Sequence, residues 1–138
     1  MKNIAIRWYV LGFYFSGDKT TVALIKKNRP KWQSGRFNGI GGKVMIGEDP
    51  LKAMIREFKE EAGLEISSWE IILKMNGKDW KCWVFRAFGS MRDIRSITDE
   101  EVKIFSIDSL PPNIITNLNW IVPMLVKDHP LIAECHYL

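Results

Sequence analysis

The distribution of apolar and polar positions divides the chain into short segments. Residues 3–15 and 21–26 are rich in β-branched and aromatic side chains and are separated by the turn sequence "SGDK", so they predict a β-hairpin. The segment "KNRPKWQSGRFNGIGG" is polar and glycine-rich, and it predicts a long loop that touches a strand at Phe37. After Asp49 and Pro50, an N-cap and N1 pair, the period becomes helical and runs to Gly63, which stands where a C-terminal glycine cap belongs. Residues 69–75, 81–88 and 101–107 predict further strands, and "LPP" leads to an apolar helix from about Asn117 to Lys127. Strands mixed with two helices, without repeats or low-complexity tracts, indicate a layered α/β domain.

Composition narrows this picture. A chain of 138 residues with 46% hydrophobic content can bury one core, so residues 1–138 are expected to form a single domain. The net charge of +4 favours anionic partners such as nucleotides or nucleic acid, although a mildly basic surface also serves solubility. Cys82 and Cys135 lie far apart and outside any metal-ligand spacing, so a reduced, cytoplasmic chain is expected. The opening "MKNIAIRWYVLGFYFSG" has the charge and apolar run of a signal peptide but no small-x-small cleavage site, and a strand is the better reading. No stretch approaches the roughly 18 uncharged apolar residues of a membrane helix, so no membrane partner is expected.

The chemistry is concentrated in "GGKVMIGEDPLKAMIREFKEEAGLEI", residues 41–66. At about 100° per helical residue, Glu57, Glu60 and Glu61 share one stripe, while Leu51, Ile55, Phe58 and Ala62 form a second on the far side. Like charges so spaced repel by roughly 0.2–0.5 kcal/mol per pair, which hard divalent cations would relieve. A solvated acidic face would carry the same glutamates, so the wider spacing decides. Gly42, five residues, Glu48, seven residues, Arg56-Glu57-Phe58, one residue, Glu60-Glu61, one residue and Gly63-Leu64 should arise by chance in about one chain in ten million.

This arrangement resembles the Nudix box at every specified position over residues 42–64, and the order of elements around it is similar to the Nudix fold, an α/β/α sandwich on a mixed sheet. The resemblance implies an Mg2+- or Mn2+-dependent hydrolase of a nucleoside diphosphate linked to a further group. It implies that Glu57, Glu60 and Glu61 are metal ligands together with the carbonyl of Gly41, and that Glu57 is the first choice of general base. Arg56 then orients the glutamates by ion pairing, while Glu48 and the glycines shape the entry to the helix. A later carboxylate completes the metal site in many members; "TDEEVKIF" offers Glu101 first and Glu100 second, which a one-residue bulge would exchange.

Substrate choice lies outside the box. "GRFNGIGGKV" is similar to the corresponding stretch of hydrolases that clear oxidised purine nucleoside triphosphates, where an asparagine matching Asn38 reads the base edge. Asn117 is a second base-contact candidate with an alternative as an N-cap. Lys27 and Arg29 are candidates to hold phosphates or are solvated loop charges. The tryptophan and paired aspartates that some of those enzymes carry before the last helix are replaced here by "NIITNLN", and the markers of the ADP-ribose and dinucleoside-polyphosphate branches are missing from "KDWKCW". The expected partner is an oxidised purine deoxynucleoside triphosphate such as 8-oxo-dGTP, with no stable nucleic-acid partner. The alternatives are another nucleoside diphosphate derivative and a non-catalytic nucleotide- or RNA-binding module. Trp32 could stack on a base or cover a cleft. His129 and His136 show no catalytic spacing.

Overall fold

The computed structural model describes residues 5–128 and 132–137. His129 and residues 3 and 4 of the first predicted strand lie outside the described residues. In chain order the elements are β1 (Arg7–Ser16), β2 (Thr21–Lys26), a 3-10 turn (Lys31–Gln33), β3 (Phe37–Asn38), β4 (Ile40–Lys43) and α1 (Pro50–Ala62). There follow β5 (Glu70–Asn76), β6 (Trp80–Gly89), β7 (Val102–Ser106), α2 (Leu118–Leu125) and β8 (Ala133–His136).

β1 and β2 form the expected antiparallel hairpin. Its turn is closed by Asp18, whose carboxylate accepts from the Ser16 hydroxyl at 2.7 Å and from the Thr20 hydroxyl at 2.7 Å. The sheet runs β3-β2-β1-β6-β5-β8, with β4 paired to β1 and β7 to β2. It is mixed, since β1 lies parallel to β6 and β5 parallel to β8 while the other pairs are antiparallel. β1 is central because both its faces are apolar. Val10 and Tyr14 pack under α1 with Met54, Phe58, Trp69 and Phe85, whereas Phe13 and Phe15 pack under α2 with Leu118, Ile121 and Leu125. One helix on each face of a mixed sheet is the expected α/β/α sandwich.

The structure corrects the reading in three places. The expected loop touches the sheet at Phe37, in β3, as read, but it also runs into β4, hidden because two of the four residues of β4 are glycines. A Cβ on Gly41 would stand 1.9 Å from the carbonyl oxygen of Val10, so only glycine lets this strand lie against β1. β8 carried no strand signal, because its four residues, Ala133 to His136, form an edge against β5 alone. The buried face of α1 is Ala53, Met54, Phe58, Glu61 and Ala62, while Leu51 is 40% exposed. The helix is therefore turned toward its acidic row, and the glutamates border the core instead of lying opposite it. Among the described residues no helix is long and apolar enough to cross a membrane.

Candidate active site

The site is assembled from the second half of α1 and the strand that precedes it. Asp49 caps the helix by accepting from the Lys52 N–H at 3.0 Å, Pro50 opens it, and Gly63 ends it at φ 81°. These local signals fix the helical phase, and the phase brings Arg56 to a hub of carboxylates. Its Nε and Nη2 donate to the two oxygens of Glu48 at 2.9 and 3.0 Å. Its Nη1 donates to Glu57 at 2.9 Å and Glu60 at 3.3 Å, and Nη2 also donates to the Lys43 carbonyl at 3.0 Å. The paired guanidinium holds the Glu48 carboxyl down at about 2. Gly42 makes room for this cluster, since a Cβ there would stand 2.5 Å from Glu57 Oε1.

Glu57 and Glu61 are shielded where Glu60 is open: the Glu57 and Glu60 side chains are 13% and 55% exposed, and Glu61 as a residue is 9% exposed. Burial raises the Glu57 carboxyl against the pull of Arg56. Burial pushes Glu61 up to about 8, reinforced by the charge of Glu57 and opposed by Lys27. The segment leading into β7 covers this side of the helix, with the Ile97 N–H donating to the Glu61 carbonyl at 3.2 Å.

From the same segment Glu100 turns inward and is 4% exposed. It accepts from Lys27 Nζ at 2.9 Å and from the Asn28 N–H at 2.6 Å. Burial works to raise its carboxyl, but these donors outweigh burial and hold it below the ordinary value. Its charge is also felt by Glu61. Glu101, the first choice from the sequence, faces solvent beside Lys103 at 3.6 Å with its side chain 55% exposed. Of the two adjacent carboxylates, Glu100 is thus the one placed against the acidic row, because the strand start puts neighbouring side chains on opposite sides.

A divalent cation, implied by the box, fits this arrangement on one observation. Oε2 of Glu61 is buried without a hydrogen-bond partner, facing a local surplus of carboxylates. A cation is the group that such an oxygen lacks. Among the described residues no three acidic, histidine or cysteine side chains already converge at ligand distance, and Arg56 spans Glu57 and Glu60 in the meantime.

A cleft of about 1050 Å³ opens beside Gly41 and Gly42. The sequence candidates Lys27, Arg29, Asn38 and Asn117 all line it, and so does Trp32, which is 64% exposed. Lys27 is engaged by Glu100, and Arg29 by Asp99 at 2.5 Å. Asn38 accepts from the Gly39 N–H at 2.8 Å and donates to Gln33 at 3.0 Å, which leaves one amide hydrogen for a ligand. Asn117 precedes α2 but makes no side-chain capping bond. Sequence reasoning missed Arg36, Trp80 and Tyr137, which also line the cleft. Their strands and loops meet only through the sheet order, and no spacing along the chain marks them. His136 sits on β8 beside Glu134 and takes no part.

The family model described as NUDIX domain matches residues 6–122. No protein of curated function matches the chain. The fold is similar to that of a NUDIX hydrolase from Nitrosomonas europaea, at a TM-score of 0.81 and 16% identity over 99% of this chain and 82% of that one. It is similar to the MutT NUDIX hydrolase of Burkholderia pseudomallei, at 0.74 and 22% identity over 88% and 98% of the two chains. It is also similar to an ADP-ribose pyrophosphatase from Streptococcus suis, at 0.70 and 17% identity over 93% and 98%. These likenesses concern the fold, but the family model runs through the acidic helix, the strand that seats it and the start of α2, and on that extent of agreement the chain belongs to the Nudix hydrolase family.

Proposed function

We propose that this protein hydrolyses a nucleoside triphosphate, most specifically an oxidised purine deoxynucleoside triphosphate such as 8-oxo-dGTP, to the monophosphate and pyrophosphate with Mg2+. Nudix hydrolases act on nucleotides and generally use divalent metal ions. The observation that carries the finer reading is the junction at Gly41 and Gly42. There the acidic row of α1 adjoins a cleft large enough for a nucleotide, with Lys27, Arg29, Asn38 and Asn117 in its walls.

In this reading Glu57, Glu60, Glu61 and the Gly41 carbonyl hold the metal, and Glu100 takes the place first expected of Glu101. When bound, the metal supplies charge neutralisation of the phosphate oxygens and a lowered pKa for the attacking water. Glu57 accepts the water's proton from its place against Gly42 at the edge of the cleft. Arg56 holds Glu57 and Glu60 in position through its fixed fork. Lys27 and Arg29 offset phosphate charge, and Asn38 presents its remaining amide hydrogen to the base. Attack at an internal phosphorus releases pyrophosphate, whereas attack at the terminal phosphorus would release inorganic phosphate.

The test is a panel of nucleotides incubated with Mg2+, with products separated by chromatography and the attacked phosphorus located by hydrolysis in 18O-labelled water. Monophosphate and pyrophosphate from 8-oxo-dGTP, faster than from the ordinary triphosphates, is the expected result. Rapid cleavage of ADP-ribose with little action on any triphosphate would overturn the substrate assignment and leave the hydrolase chemistry standing.

A further inference from the structure

α1 packs on β1 and β4 and covers only part of its side of the sheet. Side chains alternate along a strand, so Trp8 projects on the same side as Val10, which packs with Met54 and Phe58 of α1. Beyond the helix this side is open. Trp8 is 37% exposed and stacks on Trp83 of β6, with ring centroids 4.7 Å apart and planes at 16°. Lys81 Nζ stands 5.3 Å over the Trp8 ring, and the exposed Lys74 of β5 lies opposite Trp83 in the sheet. On the other flank a groove of about 620 Å³ separates the two indoles from the loop before α1, with the exposed Ile6, Met45 and Ile46 in its walls. Charge here is one-sided. Asp79 is paired with Arg7 at 3.0 Å, Glu134 accepts from Asn76 at 2.9 Å, and Glu48 in the groove is held by Arg56. Lys74 and Lys81 make no ion pair among the described residues.

We propose that this face binds single-stranded nucleic acid, with one base on the Trp8 ring, the next in the apolar groove, and the phosphates between them on Lys81 and Lys74. A nucleotide uses both members of the cation–ring pair, since its base takes the ring that Lys81 now covers and its phosphate takes the ammonium. An acidic peptide would use the ammonium alone. Stacking on one indole pair and two phosphate contacts give a weak, salt-sensitive grip with little preference among bases. The platform lies apart from the acidic row of α1, and the assignment does not rest on the hydrolytic reading. In the sequence nucleic acid stands only as an alternative partner, because Trp8, Lys74, Lys81 and Trp83 lie on three strands and meet only in the sheet.

Fluorescence anisotropy of a labelled oligothymidylate of about 12 nucleotides, and of an oligouridylate of equal length, reads the contact directly. Both should bind alike at about 50 mM salt, with Kd on the order of 10 μM, and quench tryptophan emission. Lys74→Gln/Lys81→Gln should weaken both about tenfold and flatten the slope of log K against log salt by roughly 1.4, about 0.7 for each phosphate lost. Trp8→Leu should weaken both by about tenfold and remove most of the quenching. The two lysines are surface side chains, so the lysine variant tests the proposal even where Trp8→Leu fails to fold; its circular dichroism and Tm should match the wild type. No binding at about 50 mM salt, or equal binding by the lysine variant, would overturn the proposal. Polyglutamate that displaces the labelled strand as well as unlabelled oligothymidylate does would also overturn it, and would assign the face to an acidic protein. A dimer in sedimentation that Trp8→Leu dissolves would overturn it in favour of a second copy of this chain.

Discussion

A single carboxylate, Glu61, carries an expected pH dependence. Its folded pKa of about 8 lies above the ordinary 4.5, chiefly through burial. For an acid shifted upward, the folded state holds the proton more tightly, so the contribution to stability is complete below about 4.5 and is lost as pH rises through about 8. Metal-free protein should therefore lose on the order of 3 kcal/mol relative to Glu61→Gln between pH 5 and pH 8. Parallel curves of Tm against pH for the two proteins would refute this. Glu61→Gln should also lower turnover by about a hundredfold or more while folding survives. At the same scale, Glu100→Gln is expected to impair hydrolysis strongly, and Glu101→Gln to leave kcat/KM within about threefold, as befits an exposed charge. Initial-rate measurements on the pair decide between them. The two glutamates are indistinguishable along the sequence, because the side that each one faces depends on where β7 begins and pairs with β2.

At the scale of elements, α1 was legible almost to the residue, since its signals are local. Asp49, Pro50 and Gly63 mark its ends by backbone chemistry that needs no distant partner. Asp49→Ala should accordingly cost about 1 kcal/mol in urea unfolding, with an unchanged m-value. Phe58→Ala should cost about 3–5 kcal/mol, because this ring is fully buried between Tyr14 and Trp69. A loss under 1 kcal/mol would mean that α1 does not pack as described. The rotation of α1 was not legible. Glu61 sits in the buried row and Leu51 does not, because the segment before β7 covers the acidic side and brings Glu100 there, paired with Lys27 from the end of β2. β4 escaped for the opposite reason: its glycines give no strand signal, and their small size matters only once β1 is alongside.

For the whole molecule, cation binding should couple to stability, since the repulsion among Glu57, Glu60, Glu61 and Glu100 exists only in the folded state. Mg2+ at 100 times its dissociation constant should add about 2.7 kcal/mol and raise Tm by roughly 5–10 °C. A Glu57→Gln/Glu61→Gln double variant should show no such rise in a thermal melt. An equal rise in both proteins would place the bound cation elsewhere.

The box, the caps of its helix and the two-helix α/β class were decided by sequence alone, because each rests on spacing within one or two turns of chain. Tertiary structure decided what meets across the sheet. The parallel placing of β1 beside β6 brings Trp80 into the cleft with Arg7, and the pairing of β8 with β5 brings Tyr137 to Asn117. These neighbours are separated by tens of residues, and no local periodicity records them. They are set by which apolar faces the sheet order buries, a property of the assembled core and not of any segment within it.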